Sequence, residues 1–96
     1  MNAVIPTVHL NGSSPATLVD GLQVAINAVA VAIETVQDAA PNARDYYPQG
    51  DAAFNVANEC HKRRLAMLRD VQAELTATLR GVVRQLPDAK LKELGI

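Results

Sequence analysis

From Leu18 to Ala39 the apolar residues recur at steps that alternate between four and three: Leu18, Leu22, Ala25, Val29, Ala32, Val36 and Ala39. That heptad spacing puts them on one face of a helix. Val19, Ile26 and Ile33 run beside this seam, and Val24 and Val31 lie further round. The polar residues of the same stretch gather in one narrow stripe, Asp20, Asn27 and Glu34 with Gln23 and Gln37. An apolar surface this wide exceeds what one partner helix covers, so the helix is expected to be buried on several sides. Ser13 or Ser14 is a natural N-cap, Pro15 suits the first helical position, and Pro41 ends the run. The predicted helix spans 14–40.

A second heptad seam runs through Phe54, His61, Leu65, Leu68, Leu75, Leu79, Val82 and Leu86, with Asn58 and Gln72 as polar breaks. Its remaining faces read as charged. This predicts a helix over 51–86, bounded by Gly50 and Pro87. Residues 41–50, PNARDYYPQG, form the connecting loop, and 87–96 carry one short terminal helix with Leu91 and Leu94. The first thirteen residues read as an extended strap ending in an Asn11-Gly12 turn. A single strand has no stability alone, so the strap lies on the helices or pairs with a neighbouring chain.

These elements define one all-α domain over 1–96. It is an antiparallel helical hairpin with an extended N-terminal segment and a short C-terminal helix. Two helices give no closed core, so the free surface of the first predicts a homo-oligomer. The alternative is a monomer whose strap and terminal turn cover that surface.

Composition sharpens this expectation. Of 96 residues 49% are hydrophobic, and alanine (16), valine (11) and leucine (10) dominate. A chain this short buries only about 60–70% of its unfolded surface, so a lone monomer with such small side chains is marginal. One cysteine excludes a disulfide scaffold, and a net charge of −1 argues against general nucleic-acid binding. No basic residue opens a signal peptide in Met1–Leu10. The most apolar run, Val24–Ile33, contains Asn27 and is too short for a bilayer, which needs about 20 residues. A cytoplasmic protein that makes no membrane contact is expected.

Catalysis is not expected. Cys60 and His61 are neighbours on a helix and point about 100° apart, so they cannot form a thiolate–imidazole pair in one chain. His9, His61 and Cys60 match no familiar metal spacing, and there is no phosphate-binding glycine loop. Neither a cofactor nor a metal is implied.

Binding chemistry concentrates in two places. All three aromatics, Tyr46, Tyr47 and Phe54, fall in one nine-residue window with Arg44 close by. The tyrosines either stack on a ligand or fill a partner's pocket, or they plug the end of the hairpin core with Phe54. The Tyr47–Pro48 bond is a candidate for cis. His61, Lys62, Arg63 and Arg64 follow early in the second helix, where cations oppose the helix dipole. They are accounted for by salt bridges to Glu34 and Asp38 or by an anionic ligand. The second place is Asn11, Gly12, Ser13 and Ser14, whose donors at a helix start suit an anion, or serve simply as turn and cap.

The two places lie at opposite ends of a hairpin. Antiparallel pairing of two hairpins would join them into a composite site at the subunit interface. Tyr46 or Tyr47 would stack on a base. Arg44, Arg63 and Arg64 would face phosphates, His61 would be a further ligand-binding residue, and Asn11–Ser14 of the neighbouring chain would donate hydrogen bonds.

The order HLNGSS, long helix, PNARDYYPQG, long helix resembles small proteins encoded by tailed phages and prophages. The architecture is also similar, more loosely, to the helical-hairpin sponges of the phage anti-CBASS family, which sequester cyclic-oligonucleotide messengers between subunits. That family's binding motif has no residue-by-residue counterpart here. The resemblance implies a phage-type counter-defence protein that holds a small nucleotide signal. The alternative is a protein–protein interaction module, either an inhibitor of a host defence protein or a phage assembly factor.

Overall fold

The computed structural model describes residues 2–96. Every element is helical: α1 (Pro15–Asp38), a 3-10 helix (Ala43–Gln49), α2 (Asp51–Val83) and α3 (Asp88–Glu93). α1 and α2 pack antiparallel and form a rod of 61 × 23 × 19 Å. Its radius of gyration is 19.2 Å, against about 12–13 Å for a compact domain of this length.

α1 starts where the cap signals place it, with Ser14 as the N-cap and Pro15 in the first helical position. The backbone of Ser14 is extended, and its Oγ accepts from the Thr17 N–H at 3.1 Å. α1 stops at Asp38 rather than at Ala40. Ala40 precedes Pro41, and a residue before proline is pushed out of the helical region. The last turn closes with Ala39 and Ala40 donating to Val36 and Gln37.

The connection contains a full 3-10 helix, not a loop. Asn42 caps it by accepting from the Arg44 N–H at 3.0 Å. The Tyr47–Pro48 bond is trans, correcting the cis candidate. Gly50 then joins this element to α2 with φ 100° and ψ 167°. That backbone region is essentially reserved for glycine. α2 ends at Val83, and Gln85 and Leu86 finish as turns that donate to Val82 and Val83.

Both heptad seams face each other. Leu18, Leu22, Ala25, Val29, Ala32 and Val36 are half-buried, and on α2 the seam from Phe54 to Leu86 is buried or half-buried throughout. Ala39 is exposed, because α1 has already ended. The best-packed region is the end away from the connection. There Val19, Val82 and Leu86 form the core, joined by Val8 from the strap, Leu91 from α3 and Leu94 at its C-cap. α3 ends in a Schellman arrangement, with Gly95 (φ 78°) and Ile96 donating back to Lys92 and Leu91.

The strap lies on α2. Ile5 sits directly over Gly81, where a Cβ would come within 2.6 Å of its side chain. The Gln85 amide grips the strap backbone from both sides. Its Oε1 accepts from the Val8 N–H at 2.9 Å, and its Nε2 donates to the Pro6 carbonyl at 2.8 Å. The strap thus docks on the helices of its own chain. It does not cover the outer face of α1, where Val24 (67%) and Val31 (61%) stay exposed.

Candidate functional site

At the connection end, Tyr46 turns inward from the 3-10 helix against Phe54 of α2. Their ring centroids are 6.4 Å apart and tilted by 56°, within the range of favourable aromatic pairs. Tyr46 and Phe54 therefore form the hairpin plug. Tyr47, the next residue, is 72% exposed. Both tyrosines border a cavity of about 160 Å³ that is also lined by Ala43, Gly50, Asp51 and Phe54. Apart from the two tyrosines and Asp51 the lining residues are apolar, and none is a cation. Arg44 is exposed nearby, with its Nε directed to Asn42 Oδ1 at 3.4 Å.

The remaining basic residues do not join this cavity. Arg63 and Arg64 follow Asp51 by twelve and thirteen positions, about 18–20 Å along α2 at 1.5 Å per residue. Both are exposed, and Arg63 points to the Cys60 Sγ at 3.6 Å. His61 is 7% exposed because it occupies a seam position between the helices. It is a core residue here and not a surface ligand. Lys62 pairs with Glu59 on its own helix at 3.3 Å. Among the described residues no basic side chain of this cluster pairs with Glu34 or Asp38. Both carboxylates are exposed on α1.

The HLNGSS segment lies at the far end of the rod. Leu10 and Asn11 form a turn closed by the Gly12 N–H on the His9 carbonyl at 3.2 Å. The His9 ring then covers Gly12, where a Cβ would meet Nε2 at 2.9 Å. The Ser14 hydroxyl is committed to the helix, since it accepts from the Thr17 N–H and donates to Thr17 Oγ1 at 2.8 Å. Pro15 has no N–H to offer. Asn11 and Ser13 remain exposed, with no side-chain hydrogen bond among the described residues. Within one chain the two candidate regions are thus separated by the length of α1, about 36 Å.

The sequence reasoning missed the Gln85–strap clamp and the Ile5–Gly81 contact. A signal for the second was present, because a glycine inside a long helix often marks a close approach. Gln85 carried no such signal. Among the described residues no three His, Cys, Asp or Glu side chains converge as a metal site. α1 is long and apolar enough by length and composition to cross a membrane, although its polar stripe and its packing on α2 also suit a water-facing hairpin. No protein-family profile, no curated protein and no solved structure matches the chain.

Proposed function

We propose that the chain is a non-enzymatic protein-interaction module, a helical hairpin that assembles with copies of itself and engages a partner protein at its connection end. The observation that carries this is Tyr47. A large aromatic side chain is 72% exposed beside an apolar cavity of about 160 Å³, in a molecule with almost no other aromatic surface. Exposed tyrosines beside apolar pockets are typical anchors of protein interfaces. In the phage setting that the sequence pattern suggests, the partner is a host defence protein or a component of phage assembly.

Sequestration of a small anionic ligand such as a nucleotide is the second reading. It is favoured by Arg44 and Tyr47 lying in one short 3-10 helix. The lining weakens it, because Asp51 is the charged residue at the cavity and would repel phosphate. A second subunit would have to supply the cations. The cytoplasm is the proposed location under both readings.

The test is a pair of measurements on the full chain. Thermal unfolding across a nucleotide panel is expected to show no shift. Retention of a host or phage protein is expected to be lost in Tyr47→Ala with helicity unchanged. A nucleotide that raises the melting temperature by mass action, and is released as a small molecule on heating, overturns the first reading for the second.

A further inference from the structure

α2 carries a second heptad stripe that flanks its seam on one side: Cys60, Arg64, Met67, Val71, Glu74 and Thr78, again at steps of four and three. Met67 is 52% exposed, Arg64 is exposed, and the others are half-buried. α1 has the equivalent stripe in Gly21, Val24, Ala28, Val31 and Thr35. In an antiparallel pair, positions displaced in the same rotational sense from each seam fall on the same side. The two stripes therefore form one continuous face of the hairpin. The strap closes this face at one end, where Ile5 covers Gly81 and Gln85 holds the strap backbone. The opposite side of α2 carries Lys62, Arg69, Thr76 and Arg80.

We infer that this face docks a second copy of the chain, face to face, with the two α2 helices antiparallel about a twofold axis level with Arg69. This inference rests on the self-association proposed above and gives it a register. An antiparallel twofold pairs each residue with one equally far beyond the centre. Centred at residue 69, it sets Arg64 against Glu74 of the second copy, Met67 against Val71, and Cys60 against Thr78. The charged pair forms twice. Among the described residues neither Arg64 nor Glu74 has an ion-pair partner within its own chain. Moving the centre by half a heptad either way would oppose Arg64 to Met67 or to Gly81, leaving both charges buried and unpaired, which is costly. Charge complementarity thus selects this register.

The area fits one such contact. The chain exposes 6801 Å², whereas a compact 10.2 kDa monomer exposes about 5,300 Å². A standard interface removes about 800 Å² from each partner, which the rod can supply from this face alone. The small side chains of the α1 stripe allow the close helix approach that the arrangement needs.

The test combines sedimentation with cross-linking. Thr78→Cys places a thiol opposite Cys60 of the second copy, while Cys60 and position 78 of one chain lie about 27 Å apart along α2. Mild oxidation with diamide is expected to link Thr78→Cys into a covalent dimer, and to link neither the wild type nor Cys60→Ala/Thr78→Cys. Arg64→Glu and Glu74→Arg are each expected to weaken dimerisation at least about tenfold, by setting like charges together. The double exchange is expected to recover most of it, and circular dichroism checks that each variant stays helical. A dimer in which wild-type Cys60 links to itself, or in which the double exchange recovers nothing, overturns the register and leaves self-association standing. A monomer at tens of micromolar, whether free or floating with lipid vesicles, overturns both.

Discussion

Replacing glycine by alanine in a helix ordinarily stabilises it by about 0.8–1 kcal/mol. α1 and α2 each contain one interior glycine, and the structure assigns them opposite outcomes. A Cβ on Gly21 meets no atom within 4 Å, so Gly21→Ala is expected to stabilise by the ordinary amount. A Cβ on Gly81 would lie 2.6, 2.7 and 2.8 Å from three carbons of Ile5. Two of these carbons branch directly from the Ile5 Cβ, so relieving the clash takes Ile5 out of its packed position, by a rotamer change or by lifting the strap. The cost is bounded by what the strap contributes. Ile5 is 38% exposed, and its burial is worth about 1 kcal/mol. The two Gln85 bonds to the strap add about 1 kcal/mol together, since they are solvent-accessible. Subtracting the propensity gain leaves Gly81→Ala destabilised by about 1 kcal/mol. The two alanine substitutions then differ by about 2 kcal/mol. Urea unfolding of both variants, diluted to where the chain is monomeric, measures this. Ile5→Ala supplies the cycle, because in that background the clash is gone and Gly81→Ala is expected to stabilise like Gly21→Ala. Equal stabilisation by both substitutions in the intact chain would refute the docked strap.

Three further outcomes follow from single contacts. Gly50→Ala places a Cβ at φ 100°, ψ 167°, and is expected to cost about 1–3 kcal/mol in urea unfolding. Ser14→Ala removes the oxygen that receives the Thr17 N–H, and should cost about 1 kcal/mol, with α1 amide exchange accelerating from its first turn. Tyr46 and Tyr47 should separate cleanly. Tyr46→Ala breaks the pair with Phe54 and should lose about 2 kcal/mol, whereas Tyr47→Ala changes stability by less than about 0.5 kcal/mol because the side chain is exposed.

The helices were legible because their signals are periodic. Both seams, Leu18–Val36 and Phe54–Leu86, occupy the interface that their spacing predicts, and Ser14, Pro15 and Pro41 mark α1 to within two residues. What the sequence left open turns on contacts between distant residues. No local pattern says that Gln85 holds Pro6 and Val8, seventy-nine and seventy-seven positions away. The 3-10 helix was hidden because Pro48 and Gly50 are equally consistent with an irregular loop. Arg63 and Arg64 were grouped with the tyrosines by their nearness in sequence, and the rise of α2 carries them away. His61 illustrates the same difficulty. Its chemistry suggested a ligand contact, but its seam position, also visible in the sequence, decides its burial. The charged reading of the outer faces of α2 overlooked the stripe through Met67 and Val71, because Arg64 and Glu74 interrupt it.

In the proposed assembly another copy covers the outer face of the hairpin. Sedimentation equilibrium of the intact chain at tens of micromolar, in physiological salt and without detergent, tests this most directly. Self-association predicts a species of twice the 10.2 kDa chain mass that dissociates on dilution. A single ideal species at 10.2 kDa across the whole concentration range would contradict it.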